Sequence, residues 1–385
     1  SEMCIRDRYF QDAMFPDEPL LSFKPDIVFI HTTNRNVTDW PEMTDTTEQI
    51  GEKLHTEINR FTAMWKSIAE KFHCPIIQNN FEMPLYRLLG SRDAWDIHGR
   101  TNFLTRLNEA FYAYARENES FYIHDLNFVS ADYGLKEWSN PLFWNMYKYA
   151  MCFEAIPSFA FSVSHIIKSI FGKNKKALAL DLDNTLWGGV VGDDGVDGIE
   201  IGQETGVSQS YYEFQTYVKQ LKSLGIVLTV CSKNDHENAI AGLNHPEGAL
   251  RPDDFVIIKA NWENKDRNIA ETAAELNILP DSIVFADDNP AEREIVRTQI
   301  KGAAVPDMDG VENYITTIDR SGFFEVTTFS EDDLKRNEMY KKNALRAAEM
   351  ASFGDYNDYL KSLEMHAVID DFIPVYLARI TQLTN

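Results

Sequence analysis

The chain has 385 residues, enough for two or three domains, and 44% of them are hydrophobic, so sizeable cores are expected. Its net charge of −23 argues against nucleic-acid binding. It has no run of about 18 apolar residues, no secretory signal, and four cysteines without metal or disulfide spacing. We therefore expect a cytoplasmic protein without a membrane span.

The N-terminal third alternates between strand and helix patterns. We expect residues 1–10 to be a non-native or disordered end, because they show no hydrophobic period. The sequence then predicts strands over 26–32, 75–80 and 121–127, and helices over 47–72 and 98–118. Such alternation implies parallel strands with right-handed crossovers, so we predict an α/β domain over 11–150.

Residues 25–36, which include His31 and Asn34, resemble an SGNH-hydrolase-like domain of flavodoxin-like α/β type. The Gly-Asp-Ser motif that opens such a domain is absent, and so is an Asp-x-x-His near its end. We therefore predict an incomplete SGNH-like domain without esterase activity, in which His31 and Asn34 are structural. The aromatic stretch 143–171 then predicts a largely buried helix, within a helical linker over 151–176.

The apolar run 177–180 is short and bounded, which indicates a buried strand, and it ends at Asp181 and Asp183. Open α/β sheets bind ligands at this end of their strands. Two adjacent carboxylates repel each other, and a hard cation such as Mg²⁺ relieves that repulsion. The sequence therefore predicts a cation and a reactive carboxylate at this strand end.

Three further strand ends carry chemistry-bearing residues in chain order. Strand 226–231 is followed by Ser232, strand 255–260 by a loop that contains Lys265, and strand 282–286 by Asp287 and Asp288. Each signal alone has a plain explanation: a helix N-cap for Ser232, a surface lysine for Lys265 and a turn for the aspartates. Their joint occurrence at strand ends favours one catalytic site.

The segment Asp-Leu-Asp-Asn-Thr at 181–185 resembles motif I of the haloacid dehalogenase (HAD) superfamily. Its continuation Leu-Trp-Gly-Gly-Val resembles the FkbH-like (HAD-IIIC type) branch, whose members are linked to loading glyceryl units onto acyl carrier proteins and in several cases carry a preceding SGNH-like domain. The resemblance implies a Rossmann-like, three-layer HAD catalytic domain with a parallel sheet over 177–325. Only 50 residues separate Asp181 from Ser232, so we expect a minimal cap.

The resemblance also implies residue roles and a Mg²⁺ cofactor. The predicted catalytic residues are the nucleophile Asp181, the acid and base Asp183, and the phosphate ligands Ser232 and Lys265. The predicted substrate-binding residues are Thr185, Gly188, Gly189, Lys233 and Asn234. The predicted Mg²⁺ ligands are Asp181, the backbone carbonyl of Asp183, Asp287 and Asp288. The substrate would be a phosphorylated small molecule or a carrier-tethered group, with an acyl carrier protein as a partner.

Several alternatives remain open from the sequence. The activity is phosphatase or phosphotransferase chemistry through an aspartyl phosphate, with glyceryl transfer from 1,3-bisphosphoglycerate as one form. A plain phosphatase in a surface-polysaccharide pathway and a non-catalytic phospholigand-binding scaffold are the others. Cys231 could be a reactive thiol or a buried structural residue, and its position inside a strand favours burial. Residues 326–385 predict helices over 331–353, 356–364 and 374–383, and this segment resembles the start of the acyltransferase-like region that FkbH-like proteins carry after the HAD domain.

Overall fold

The computed structural model describes residues 3–329, 331 and 335–342, and it describes side chains from residue 9 onward. The chain is divided into two compact units. The first unit comprises Ser1–Asn174 and Gly322–Phe329, and the second comprises Lys175–Ser321 and Ser330–Asn385. The predicted linker over 151–176 falls within the first unit up to Asn174. None of the described helices is long and apolar enough to cross a membrane. The helices predicted beyond residue 342 lie outside the described residues.

The first unit contains a parallel three-stranded sheet in the order β1-β2-β3. The strands are β1 Val28–Ile30, β2 Ile76–Asn79 and β3 Phe121–His124, and Ile76 pairs with both Val28 and Phe121. The helices are α1 Met3–Met14, α2 Glu18–Phe23, α3 Thr47–Phe72, α4 Arg100–Glu117, α5 Leu126–Tyr133, α6 Leu135–Trp138, α7 Pro141–Tyr147 and α8 Ile156–Ile170. The predicted alternation of strands and helices in this region is therefore confirmed.

Helix α3 supplies much of the core of this unit. It begins at a capping box in which Thr46 and Gln49 satisfy each other's backbone N–H groups. Its apolar face buries Phe61 and Trp65, whose rings lie 5.0 and 4.7 Å from that of Phe111 in α4. The rings meet edge to face, an arrangement that aromatic pairs prefer.

Two predictions for this unit differ from the structure. Residues 3–10, which we expected to be a non-native or disordered end, are part of helix α1, and their non-native origin stays a prediction. The single buried helix over 143–171 is instead α7, a 3₁₀ turn at Phe153–Ala155 and α8. Helix α7 ends at Lys148 in the left-handed conformation, and Pro157 lies in the first turn of α8, where proline is tolerated. Aromatic content suggested burial, but the Phe153 side chain is 54% exposed.

The second unit contains a parallel four-stranded sheet in the order β6-β5-β4-β7. The strands are β4 Ala177–Leu180, β5 Val227–Ser232, β6 Ile257–Ala260 and β7 Ile283–Ala286. The helices are α9 Val191–Asp194, α10 Gly206–Ser223, α11 His236–Leu243, α12 Lys265–Glu275, α13 Pro290–Gln299 and α14 Tyr314–Arg320. The four predicted strands and their parallel pairing are confirmed.

Strand β4 lies at the point where the strand order reverses. The chain moves from β4 to β5 and β6 on one side, and then returns to place β7 on the other. Ligands of open α/β sheets bind outside the carboxyl ends of the strands at such a point. Strands β4, β5 and β7 are buried along their whole length, so the strand ends are held by a rigid core.

Candidate active site

The turn after β4 places Asp181 and Asp183 at the carboxyl edge of the sheet. The Asp181 N–H still donates to the carbonyl of Ala286, so this residue is anchored to β7. Asn184 then adopts the left-handed conformation with φ of +56°, which asparagine tolerates better than most residues. The hydroxyls of Tyr211 and Tyr314 donate to the Asn184 carbonyl at 3.3 and 3.1 Å and hold the turn.

The Asp183 carboxylate is held by three N–H donors. Its Oδ1 accepts from Trp187 Nε1 at 2.9 Å and from the Val191 N–H at 3.0 Å, and its Oδ2 accepts from Asn234 Nδ2 at 2.9 Å. Burial raises the pKa of Asp183 above its ordinary value, although the bonds from Val191 and Trp187 oppose that shift. The carboxyl group is therefore fixed in orientation.

Lys265, the first residue of α12, lies between two carboxylates. Its Nζ is 2.8 Å from Asp181 Oδ2 and 2.5 Å from Asp287 Oδ2, and the side chain is only 3% exposed. Burial alone would lower the Lys265 pKa, but the charges of Asp181 and Asp287 outweigh burial and raise it. Burial and the Asp181 charge raise the pKa of Asp287 to about 6. Lys265 is therefore a buried cation, not the surface lysine of the plain explanation.

Asp181, Asp287 and Asp288 form a cluster in which one carboxylate oxygen of each lies within 4.8 Å of the others. Three oxygen donors without sulfur or imidazole suit a hard cation such as Mg²⁺. The Asp183 carboxylate is not part of this cluster. Contact of its backbone carbonyl with the metal stays a prediction.

Ser232 ends β5, next to β4 in the sheet. Its hydroxyl is buried, and no hydrogen-bond partner for it lies among the described residues. A buried hydroxyl without a partner costs about 1–3 kcal/mol of stability, so this position suits a ligand oxygen. The prediction of Ser232 as a phosphate ligand has this observation in its favour.

The five predicted substrate-binding residues already have partners inside the protein. The Thr185 hydroxyl lies 3.2 Å from Asp288 Oδ1 and accepts from the Asp288 N–H, and Asn234 bonds to Asp183. Gly188 pairs with Glu200 through both backbone groups, and the Gly189 N–H donates to Asn184 Oδ1. Lys233 pairs with Glu292 at 2.7 Å. Thr185 and Asn234 therefore hold the carboxylates of Asp288 and Asp183 in place. The substrate contacts of these five residues stay a prediction.

Three residues near the site were missed from the sequence. Trp187 is buried and bonds to Asp183, and Gly242 of α11 packs against its indole ring. Arg293 donates to the carbonyls of Asp287 and Asp288 at 3.0 and 2.7 Å, which holds the loop after β7. Arg293 lies one helical turn beyond that loop, and this spacing is the signal that could have found it.

Cys231 is a structural residue. Its thiol is buried in the core of the unit, where it packs with Ile269 and Phe285, and burial raises its pKa strongly. A thiol in this state is a poor nucleophile at neutral pH, because the thiolate is the reactive form.

The chain is similar to a protein of known structure. No family model and no curated protein matches the chain. The chain aligns with the crystal structure of the N-terminal part of protein BF1531 from Bacteroides fragilis, which contains a phosphatase domain and was solved in complex with Mg. The two are 31% identical with a TM-score of 0.75, and the alignment covers 83% of this chain and 84% of the other. This identity over most of both chains shows that the protein belongs to the same family as the N-terminal part of BF1531.

Proposed function

We propose that this protein is a Mg²⁺-dependent phosphatase or phosphotransferase of the HAD type, with its active site at the carboxyl edge of the β6-β5-β4-β7 sheet. One observation carries the proposal. The carboxylates of Asp181, Asp287 and Asp288 lie close together at this edge, and the buried Lys265 contacts both Asp181 and Asp287. Phosphoryl transfer depends mainly on positioning and on neutralising charge, and this arrangement supplies both.

Asp181, Asp287 and Asp288 would hold the Mg²⁺, because their oxygens converge and no softer ligand is among them. Bound Mg²⁺ would neutralise charge on the transferring phosphoryl group and orient its oxygens. The predicted cofactor agrees with the Mg in the solved structure of the BF1531 N-terminal part.

The remaining roles belong to protein side chains. Asp181 attacks phosphorus, its new O–P bond forms as the bond to the leaving oxygen breaks, and Asp183 gives its proton to that oxygen. Asp183 then removes a proton from water, whose attack on phosphorus releases phosphate and restores Asp181. Lys265 and the unpartnered Ser232 hydroxyl bind the phosphoryl oxygens. An acceptor other than water would turn the same sequence into a phosphotransfer.

The substrate is a finer proposal that rests on the resemblance of residues 181–190 to the FkbH-like branch. We propose 1,3-bisphosphoglycerate as the substrate, with Asp181 taking the phosphoryl group of its C3 phosphate ester while the C1 acyl phosphate stays intact. The phosphopantetheine thiol of an acyl carrier protein, the proposed partner, then attacks the C1 carbonyl carbon and displaces the C1 phosphate, so that the carrier receives the glyceryl unit as a thioester. The experiment must separate this proposal from two alternatives. One is a plain phosphatase that acts on a sugar phosphate in a surface-polysaccharide pathway, and the other is a scaffold that only binds a phosphorylated ligand.

The test incubates the protein with Mg²⁺, 1,3-bisphosphoglycerate and a phosphopantetheinylated carrier protein, and follows phosphate release and carrier mass together. Asp181→Asn removes the nucleophile, so we expect phosphate release to fall at least about 1000-fold. Asp193→Asn, on an exposed position of α9, is the matched control and should retain activity.

The outcomes separate the proposals. Full Mg²⁺-dependent release by Asp181→Asn would overturn the nucleophile assignment. Release without a gain in carrier mass would reject the loading reaction and leave a phosphatase, to be tested next with sugar phosphates. No release from a broad panel of phosphate esters, together with Mg²⁺-dependent binding of one of them, would identify a phospholigand-binding scaffold.

A further inference from the structure

The first unit contains a cavity of about 420 Å³ at the carboxyl edge of its own sheet. The loop after β1 contributes Asn34 and Arg35, and the loop after β2 contributes Glu82. Arg100 from α4 and Trp144 from α7 form further walls of the cavity. This volume is in the range of small-molecule sites, and this edge of a parallel sheet is where such ligands bind.

Two arginines in this cavity lie against aromatic rings. The Arg35 guanidinium carbon lies 4.6 Å from the centre of the Trp144 ring. The Arg100 guanidinium carbon lies 4.9 Å from the centre of the Trp40 ring and 5.5 Å from that of Tyr86. A guanidinium over an aromatic ring gains a cation–π interaction, which restrains the position of both groups.

Arg100 keeps hydrogen-bonding capacity. Its Nη1 donates to the Tyr86 hydroxyl at 2.9 Å, and among the residues that the structure describes no carboxylate lies within ion-pair distance of it. A guanidinium has five N–H donors, and a carboxylate or phosphate accepts two of them at once. A planar arginine without an acidic partner in the described part of the chain is therefore suited to an anion.

The described lining of the cavity is more basic than the chain as a whole. The protein carries a net charge of −23, yet among the lining residues that the structure describes there are two arginines and one acidic side chain, Glu82. The Glu82 carboxyl is buried at 5% exposure and accepts from the Asn34 N–H at 3.3 Å. Burial raises its pKa to about 8, so it adds little negative charge at neutral pH.

We propose that this cavity binds a small organic anion, whose carboxylate or phosphate group meets Arg35 and Arg100 and whose body packs against Trp40 and Trp144. A neighbouring cavity of about 620 Å³ shares the segment 83–85, Ser139 and Pro141 with it. The ligand therefore has room to extend past the 83–85 segment, and an organic acid or organic phosphate of at least monosaccharide size fits the space.

Tryptophan fluorescence is a direct readout, because three of the seven tryptophans, Trp40, Trp138 and Trp144, line the cavity. The experiment titrates the full chain in EDTA with glucuronate, glucose 6-phosphate and neutral glucose, and repeats each titration by calorimetry. The chain carries Asp181→Asn throughout, so that the phosphate probe stays intact. Glucuronate and glucose 6-phosphate separate carboxylate recognition from phosphate recognition.

The expected result is binding of at least one anionic probe and no binding of glucose. Arg35→Met and Arg100→Met should each weaken the dissociation constant at least about tenfold, because each removes charged hydrogen bonds. Arg106→Met, at an exposed position of α4, removes the same charge outside the cavity and should leave binding unchanged. If Arg100→Met fails to fold, Arg100→Lys keeps the charge without the planar fork and serves the same comparison.

The proposal is overturned if neither anion binds at millimolar concentration. It is equally overturned if both arginine variants bind as tightly as the parent chain, since the ligand would then lie elsewhere. Equal binding of glucose and glucuronate would reject recognition of the acid group. Circular dichroism of every variant separates lost binding from lost folding.

Discussion

Lys265 shows how one residue holds the candidate site together. Its ammonium group is shared between Asp181 and Asp287, and all three side chains are at most 10% exposed. Buried carboxylates this close repel each other unless a cation lies between them. Removing one partner of a buried ion pair leaves an uncompensated charge, which typically costs about 3–5 kcal/mol.

We predict that Lys265→Met lowers the melting temperature in EDTA and abolishes phosphate release. We also expect Mg²⁺ to raise the melting temperature of this variant more than that of the parent, because the cation would replace the missing positive charge. Thermal denaturation with and without Mg²⁺ measures both effects. Lys259→Met is the control: Lys259 pairs with Glu275 near the surface, so its loss should cost about 1 kcal/mol or less. Equal losses in the two variants would contradict the role of Lys265.

Glu82 gives a pH-dependent prediction. Burial raises its pKa from 4.5 to about 8 in the folded chain, against the smaller opposing effects of the Asn34 N–H and the Arg35 charge. Between these two pH values the folded state holds a proton that the unfolded state has lost, so the Glu82 contribution to stability falls as pH rises through this window. The free energy of unfolding of Glu82→Gln should therefore change less between about pH 5 and 8 than that of the parent, because this range spans the two pKa values. Parallel melting curves across that range would contradict the assignment.

At the level of elements, the turn after β4 packs closely against helix α11 at Gly242. A Cβ atom added to Gly242 would lie 2.7 Å from the Trp187 ring, which is closer than atoms can approach. Trp187 is also the residue that donates to Asp183 at 2.9 Å. The packing of α11 against the turn therefore determines where the acid and base group of the proposed mechanism lies.

We predict that Gly242→Ala lowers kcat about tenfold or more, with a small change in KM, because Trp187 must move and loosen Asp183. Steady-state kinetics at saturating Mg²⁺ makes the measurement. Gly51→Ala is the matched control, since Gly51 lies in helix α3 with no atom within 4 Å of an added Cβ. That change should leave kcat unaltered and raise stability by about 0.5–1 kcal/mol. A folded Gly242→Ala protein with normal kcat would show that Trp187 does not position Asp183.

At the scale of the whole molecule, the charge of −23 works against an anionic substrate. The positive groups of the candidate site, such as Lys265, are buried and act over short distances. Long-range attraction therefore cannot raise the association rate of a phosphate ester, and long-range repulsion lowers it.

We predict that kcat/KM for a phosphate ester rises by a factor of about three when ionic strength increases from low to physiological values, because salt screens the repulsion. Mg²⁺ is kept saturating, since screening also weakens its attraction to the protein. The kcat value, which reports steps after binding, should stay constant. A fall of kcat/KM with salt would show that a local positive field steers the substrate.

Much of the fold could be predicted from local sequence patterns. Short apolar runs bounded by polar residues marked the strands, as at 177–180, and alternation with helices implied parallel sheets. The same reasoning gave a wrong prediction for the aromatic stretch 143–171, because aromatic rings such as that of Phe153 lie on the surface of the first unit. Composition reports which residues can be buried, whereas only packing determines which ones are.

The sequence by itself determined the strand ends and the residue types there, because hydrophobic period and turn residues act over a few positions. It placed Asp181, Ser232, Lys265 and Asp287 at one sheet edge, where the structure brings them together. Only the tertiary structure determined which side chains of the site hydrogen-bond to one another. Asn234 reaches Asp183 across 51 positions and Thr185 reaches Asp288 across 103, and such contacts depend on how the strands are ordered in the sheet. The anion cavity of the first unit likewise joins loops and helices that no local pattern connects.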